Sequence, residues 1–283
     1  MQTVCRPIGG HLREWRQRRH LSQLALACDA DISTKHLSFI ETGRALPSRD
    51  MVLHLAERLE VPLRDRNMLL VAAGYAPVFP ERQLQDPALG AARKVVDLVL
   101  AGHEPYPALA VDRHWTLIAA NNAVAPLLEG VEPSLASPPV NVLRLGLHPA
   151  GLAPRIINFA EWRAHLLARL RRQIDLTADP ILIALINELG DYPTPGDARH
   201  NGPSETEQYA NVVVPLQLVL DGGALSLFSM TTVFGTPVDI TLSELALEAF
   251  LPADAATAEA LHRLANAANN DQQLISKEGS HVR

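Results

Sequence analysis

Apolar residues recur three or four positions apart through the first seventy-five residues, the spacing of one helix face. The pattern predicts five short helices. Ser22 and Ser33 precede the second and third and are suitable N-caps, because a serine oxygen accepts from the free N–H groups of a first turn. Gly43 ends the third helix in the position of a left-handed C-cap. The fourth and fifth helices begin near Pro47 and Pro62.

The pattern becomes mixed further along the chain. Two apolar runs, 108–112 and 115–119, predict a hairpin, and 212–220 with 225–234 predict another around the turn signal Asp221-Gly222-Gly223. Helical spacing predicts helices at 87–101, 159–172, 180–189, 241–250 and 257–267.

These elements predict an α+β chain of two parts. The expected organisation is an all-α domain of five helices at 1–80, a linker helix at 81–105, a mixed domain at 106–267 with an antiparallel sheet and covering helices, and a polar, disordered tail at 268–283. The linker helix has an apolar side that suits either a dimer interface or packing on its own domain.

Charge supports the division into two parts. The chain of 283 residues has a net charge of −6, which taken alone argues against nucleic acid as a partner. Positions 1–75 hold 11 basic and 8 acidic residues, a net of +3, and the remainder holds 14 and 23, a net of −9. A basic N-terminal module therefore precedes an acidic larger one.

Several classes of function lose support from composition and motifs. No apolar run reaches the length of a membrane span, and the N-terminus lacks the apolar core of a signal peptide. Two cysteines, Cys5 and Cys28, make neither a disulfide framework nor a metal site. No common catalytic or phosphate-binding motif occurs. We therefore expect a cytoplasmic protein with no catalytic residues and no metal site.

The second and third predicted helices carry a recognisable set of residues. The segments Leu21-Ser22-Gln23-Leu24-Ala25-Leu26-Ala27, Ile32-Ser33, Ile40-Glu41-Thr42-Gly43-Arg44 and Pro47-Ser48 resemble the phage-repressor-like (Cro, XRE) helix-turn-helix family. The resemblance covers about residues 9–74. Family members commonly have glycine where this chain has Asp31, which tolerates a left-handed conformation better than most residues.

The resemblance implies a set of DNA contacts. Double-stranded DNA with a near-palindromic operator is the implied partner, bound by a homodimer. Phe39 would meet thymine methyl groups or fold back onto the protein, and both alternatives stay open. Arg16 and Glu41 would form an internal salt bridge. Gln23 and Arg44 would contact phosphates, and the recognition helix would present Ser33, Thr34, Lys35 and Ser38.

The mixed domain carries a second set of recognisable residues. The segments Ala108-Leu-Ala-Val-Asp-Arg-His-Trp115, Asn141-Val-Leu-Arg-Leu-Gly-Leu-His-Pro149 and Phe234-Gly-Thr-Pro-Val-Asp-Ile-Thr241 resemble the ligand-binding domain of MmyB-like transcription regulators. The resemblance covers about residues 106–265. It implies a PAS-like domain that holds a small apolar, fatty-acid-like molecule.

A PAS-like sheet curves around a small apolar pocket, and the sequence offers candidates for its wall. Strand alternation places Phe228, Met230 and Phe234 on one face, and the helix at 159–172 offers Phe159 and Trp162. Arg163, Arg169, Arg171 and Arg172 are assigned to the other side of that helix. Donors for a carboxylate head group are Arg172, His148 and Asn158.

The resulting prediction is a ligand-responsive, sequence-specific transcription regulator with no certain cofactor beyond a bound fatty acid or similar molecule. Two alternatives remain open at this point. The second domain would be a protein-interaction module without a small ligand, or an enzyme domain whose residues converge only in space.

Overall fold

The computed structural model describes residues 7–195, 213–220 and 223–279. Its chain divides into two compact units, one of positions up to 84 together with 175–177 and 235–243, the other of the remaining positions. Several parts of the sequence predictions lie outside the described residues. They are positions 1–6 of the first domain with Cys5, positions 196–211 of the mixed domain, the first residue of the strand at 212–220, Asp221 and Gly222 of the following turn, and positions 280–283 of the tail. Within the described ranges, no helix combines the length and apolarity that a membrane crossing requires.

The first unit contains the five predicted helices. Three of them have serine N-caps, Ser22, Ser33 and Ser48, whose hydroxyls accept from the N–H groups of Ala25, His36 and Met51 at 3.0–3.2 Å. The helices are α1 Ile8–Arg18, α2 Gln23–Asp29, α3 Thr34–Glu41, α4 Arg49–Arg58 and α5 Leu63–Ala72.

One apolar cluster holds this unit together. Fully buried Leu12, Leu26, Leu37 and Leu55 are contributed by the first four helices. At Gly9 helix α1 approaches the end of α3 so closely that an added Cβ would lie 2.2 Å from the backbone oxygen of Ile40. Glycine therefore allows α1 to fix the position of α3.

The second unit surrounds a five-stranded antiparallel sheet in the order β2-β1-β5-β4-β3. The predicted PAS-like α+β architecture is present. Its strands are β1 Ala108–Val111, β2 Leu117–Ala120, β3 Leu216–Leu220, β4 Gly223–Val233 and β5 Ala246–Pro252. Its helices are α6 Gly90–Gly102, α7 Pro133–Ala136, α8 Val142–Leu147, α9 Phe159–Thr177, α10 Pro180–Asp191 and α12 Ala255–Gly279, and a short α11 Ile240–Ser243 lies in the segment assigned to the first unit.

Strand register separates the two faces of the sheet. Glu248 of β5 lies opposite Leu109 of β1 and Thr231 of β4, so these three share one face. The next residue, Ala249, lies opposite Ala108 and Met230 on the other face. Helix α6 covers part of that other face with Val96 and Leu100, which pack against Ala108, Ala110, Leu245, Leu247 and Ala249.

The helix predicted at 241–250 is wrong in its extent, because α11 ends at Ser243 and the second half of this segment forms the central strand β5. Leucine, alanine and glutamate favour helices, but both edges of the segment are hydrogen-bonded to neighbouring strands, and sheet pairing overrides a weak local preference. The end of the chain also differs, since α12 continues to Gly279 across much of the segment expected to be disordered.

Candidate nucleic-acid interface and ligand cavity

The turn between α2 and α3 has the backbone that a helix-turn-helix requires. Asp31 is left-handed with φ 50° at the position where the sequence departs from glycine. Gly43 is left-handed with φ 73° after the end of α3, and the N–H of Arg44 donates to the oxygen of Phe39 at 2.8 Å. Both ends of α3 are therefore fixed by local geometry.

Glu41, the last residue of α3, accepts hydrogen bonds from two side chains in a buried polar cluster. Arg16 donates through Nε and Nη2 to the two carboxylate oxygens at 2.7 and 3.0 Å, and hydrogen bonding to Glu41 raises the pKa of Arg16. Gln23, predicted as a phosphate contact, donates its amide to Glu41 at 2.8 Å. The cluster ties α1 and α2 to the last residue of α3.

The outward side of α3 is polar and basic. Ser33, Thr34 and Lys35 are exposed, and Ser38 is partly exposed. Phe39 is partly buried between two cations, with Lys35 Nζ 5.6 Å and Arg44 Cζ 5.9 Å from its ring centre. The structure thus brings the predicted Lys35, Phe39 and Arg44 into one surface.

The second unit contains a cavity of about 110 Å³ between the Glu248 face of the sheet and helices α8 and α9. Apolar side chains form nearly all of its wall. The lining residues are Pro107, Leu109, Trp115, Val124, Leu127, Leu128, Val142, Leu143, Leu145, Gly146, Leu152, Ile156, Trp162, Leu166, Arg169, Leu216, Leu218, Ser229, Glu248 and Phe250.

One part of the wall is polar. Arg169 of α9 donates through Nη1 to Glu248 Oε2 at 2.9 Å and through Nη2 to Oε1, and also donates to Thr231 Oγ1 at 2.7 Å. The Arg169 side chain is 23% exposed and that of Glu248 only 4%. A matched ion pair therefore lies in an otherwise apolar wall.

Trp115 is held in place beside this ion pair. Its indole N–H donates to Gln173 Oε1 at 2.9 Å, and the guanidinium of Arg169 lies 4.6 Å from its ring centre. Its backbone is left-handed with φ 66°, which is uncommon for a bulky residue. Helix α9 thus fixes the part of the β1–β2 connection that faces the cavity.

Among the predicted ligand residues, Trp162 lines the cavity and Phe159 is buried in the same apolar core. The three predicted donors for a head group, His148, Asn158 and Arg172, are not among the residues that line the cavity. His148 Nδ1 accepts from the N–H of Ala150 at 3.0 Å, Asn158 donates to the oxygen of Pro215 at 2.8 Å, and Arg172 is exposed.

The predicted strand residues lie away from this cavity. Met230 and Phe228 lie opposite Ala249 and Leu251, on the face that α6 partly covers, and Phe234 packs with the α6 cluster. Alternation correctly placed Phe228 and Met230 on one side of a strand, whereas Phe234 lies just beyond the end of β4. Alternation does not tell which side faces the cavity.

Sequence reasoning missed Arg169 and Glu248. Arg169 follows Trp162 by seven positions and Leu166 by three, which is a helical spacing, so it lies on the cavity side and not with the exposed arginines. Glu248 falls in the segment predicted as a helix. Helical spacing offered a signal for Arg169, whereas Glu248 required the strand register.

Three matches to known proteins agree with this arrangement. Residues 92–264, more than half of the chain, match the family of the MmyB-like transcription regulator ligand binding domain. Residues 7–69 match a helix-turn-helix domain family. A stretch of 76 residues is 40% identical to an uncharacterized HTH-type transcriptional regulator, RghRB, of Bacillus subtilis (strain 168). That alignment covers 26% of this chain and 52% of the relative, so the similarity spans about half of the relative's length.

Proposed function

Since the chain belongs to the family of MmyB-like transcription regulators and has a helix-turn-helix domain ahead of its ligand-binding domain, we propose that it binds a specific DNA operator in response to a small apolar molecule. It acts in the cytoplasm as a regulator and not as an enzyme. The observation that carries the proposal is the mainly apolar cavity in a chain whose helix-turn-helix also exposes Lys35 on α3.

For the DNA-binding function, the support comes from the surface of α3. Lys35 is exposed at the start of the helix, where its ammonium donates to the O6 and N7 atoms of guanine. Phe39 offers an apolar surface to a thymine methyl group, and Arg44 supplies a phosphate contact. Thr34, Ser33 and Ser38 complete the proposed contact surface.

For the ligand-binding function, the support comes from the cavity wall. Apolar walls with a few polar groups are typical of sites for small molecules, and leucines and aromatic rings adapt to an alkyl chain. A fatty-acid-like molecule with an apolar chain and one polar end fits a wall that is mostly apolar with a few polar groups. Its binding alters operator affinity only through a difference in its affinity for two states of the protein.

A homodimer completes the proposal. Helix α6 buries Val96 and Leu100 on its own sheet, while Val95 and Leu98 are 47% and 71% exposed. We assign these two exposed side chains to the dimer interface. A two-fold dimer would read two half-sites about 34 Å apart on a near-palindromic operator. Sedimentation of Leu98→Glu against the wild type tests this, since an unchanged dimer would contradict the assignment.

Selection from random DNA sequences by the full chain tests the DNA-binding function. Lys35→Ala should cost about 1–3 kcal/mol on the selected site and relax the preference at one base pair. Lys94→Ala is the matched control, because Lys94 is also an exposed lysine but lies in α6, outside the helix-turn-helix. Failure to enrich any sequence would refute specific recognition.

Native mass spectrometry of the full chain tests the ligand-binding function. A co-purified small molecule, released on unfolding, is expected. A protein that carries none and gains none from a panel of alkyl compounds would favour the protein-interaction alternative, and would leave the DNA-binding function intact.

A further inference from the structure

The segment 235–243 belongs to the first unit, although it connects β4 and β5, two strands that contribute to the cavity wall of the second. We infer that this segment is the route by which a molecule in the cavity alters DNA binding, and that Asp239 is the residue that positions it. The inference rests on the proposed function, because it concerns how the molecule held in that cavity regulates the helix-turn-helix.

Asp239 is held inside the first unit. It is 1% exposed, and its Oδ2 accepts from Nη1 of Arg82 at 2.9 Å. Its Oδ1 accepts from the N–H of Thr241 at 2.9 Å, and its backbone oxygen accepts from the N–H of Ser243 at 3.0 Å. The carboxylate therefore both shapes the short helix α11 and joins the segment to Arg82.

Further hydrogen bonds connect the segment to α5. The N–H of Ile240 donates to the oxygen of Pro80 at 2.9 Å, and the side chain of Ile240 is buried. The N–H of Phe79 donates to Asn67 Oδ1 at 3.1 Å, and Asn67 Nδ2 donates to the oxygen of Phe79 at 2.7 Å. Asn67 lies in α5, which packs in the apolar core of the first unit. A displacement of the segment therefore reaches that core through a contiguous set of contacts.

Helix α9 has the same dual membership. It lines the cavity with Trp162, Leu166 and Arg169 in the second unit, whereas its last three residues, 175–177, belong to the first. The ion pair between Arg169 and Glu248 joins this helix to β5, which begins shortly after the segment 235–243. Both elements that meet at this pair are thus continuous with parts of the first unit.

The size of the cavity provides a reason for movement. At about 110 Å³ it is smaller than a cavity of ~150 Å³ that holds benzene. An alkyl chain of eight carbons is larger than benzene, so it enters only when α9 and the sheet move apart. Because packed elements transmit strain, the displacement is carried by β4 and β5 to the segment between them. The chain thus favours an opened state, which is the difference between two states that regulation requires.

Fluorescence anisotropy of the full chain on its selected operator, with and without sodium octanoate, measures the coupling. Saturating octanoate should change the operator affinity of the wild type by at least about fivefold. Asp239→Asn can still accept from Thr241 but loses the charge that holds Arg82, so the change should fall below about twofold. Glu188→Gln is the matched control, since it removes the carboxylate of another pair with an arginine and should keep the full change.

Titration calorimetry supplies an independent readout. Octanoate should bind Asp239→Asn as tightly as the wild type in the absence of DNA, because Asp239 does not line the cavity. Coupling between two sites is reciprocal, so operator DNA should change the octanoate affinity of the wild type by the same factor. The same DNA should leave the octanoate affinity of Asp239→Asn nearly unchanged.

The outcomes separate this inference from the proposed function. A full octanoate response in Asp239→Asn would overturn the route and leave DNA binding and ligand binding intact. Octanoate that binds the wild type without changing its operator affinity would overturn the coupling itself. Binding of neither octanoate nor decanoate would overturn the ligand-binding function and the inference with it.

Hydrogen exchange of the wild type decides if Asp239→Asn does not fold or does not bind the operator. The Ile240 amide donates to Pro80, so its exchange rate reports directly on the attachment of the segment. Octanoate should change this rate by at least about fivefold, in line with the expected coupling. An unchanged rate with octanoate bound would overturn the inference.

Discussion

Arg16 and Glu41 join helix α1 to the last residue of the recognition helix through a two-point ion pair, with side chains 10% and 1% exposed. Removing one partner leaves a buried charge without its counterion. We therefore expect Arg16→Met to lower the free energy of unfolding by about 3–5 kcal/mol and to weaken DNA binding through misplacement of α3.

Chemical denaturation measures this effect. In the double variant Arg16→Met with Glu41→Met neither charge remains, so the loss should be smaller than the sum of the two single losses. Arg64→Ala is the control, because its pair with Glu81 is more exposed and should contribute below about 1 kcal/mol. Equal losses for Arg16→Met and Arg64→Ala would contradict the role of the buried pair.

Arg44 is predicted to bind phosphate, which carries no sequence information. Arg44→Ala should weaken binding by a similar factor on all DNA sequences and reduce the slope of log affinity against log salt by about 1. Filter binding at several salt concentrations measures both quantities, with Arg93→Ala in α6 as the control. A selective loss on the operator would instead assign Arg44 to base recognition.

Gly146 is a position where a larger side chain can be placed inside the cavity. It lines the cavity at the end of α8, and an added Cβ would meet nothing within 4 Å. Gly146→Leu should occupy the space and abolish binding of alkyl probes, while the free energy of unfolding stays level or rises by up to about 1 kcal/mol, since glycine weakens a helix. Gly102→Leu, also in open space but outside the lining, should leave probe binding unchanged.

His165 stacks on the ring of Trp162 with centres 5.5 Å apart. Burial lowers the pKa of His165, and the nearby charges of Arg169 and Arg172 lower it further. The unfolded chain then takes up a proton near pH 6.5 that the folded protein takes up only at lower pH. Stability from this group is thus present above pH 6.5 and is lost as the pH falls through the lowered value.

Denaturation curves at pH 8 and pH 5.5 test this dependence. His165→Gln should reduce the loss of stability between the two pH values, whereas His36→Gln, which removes an exposed histidine of the first unit, should not. Parallel losses in the wild type and His165→Gln would show that His165 does not contribute to acid sensitivity.

Much of the first unit is predictable from sequence because its determinants are local. Serine N-caps, leucines at helical spacing and Gly43 act within a few residues of where they stand, and the five helices form where these signals predict. Asp31 adopts the left-handed turn expected from its place between two helices.

The sequence by itself therefore determined the two-part organisation, the helix-turn-helix and the α+β character of the second unit. Only the tertiary structure decided which faces look into the cavity, because strand alternation defines two sides and register with neighbouring strands chooses between them. Because of this register, Met230 faces away from the cavity. Pairing with neighbouring strands also makes the second half of the segment 241–250 a central strand, and this strand brings Glu248 to Arg169. The ion pair in the cavity wall depends on residues 79 positions apart in the sequence, and so on contacts that local patterns do not encode.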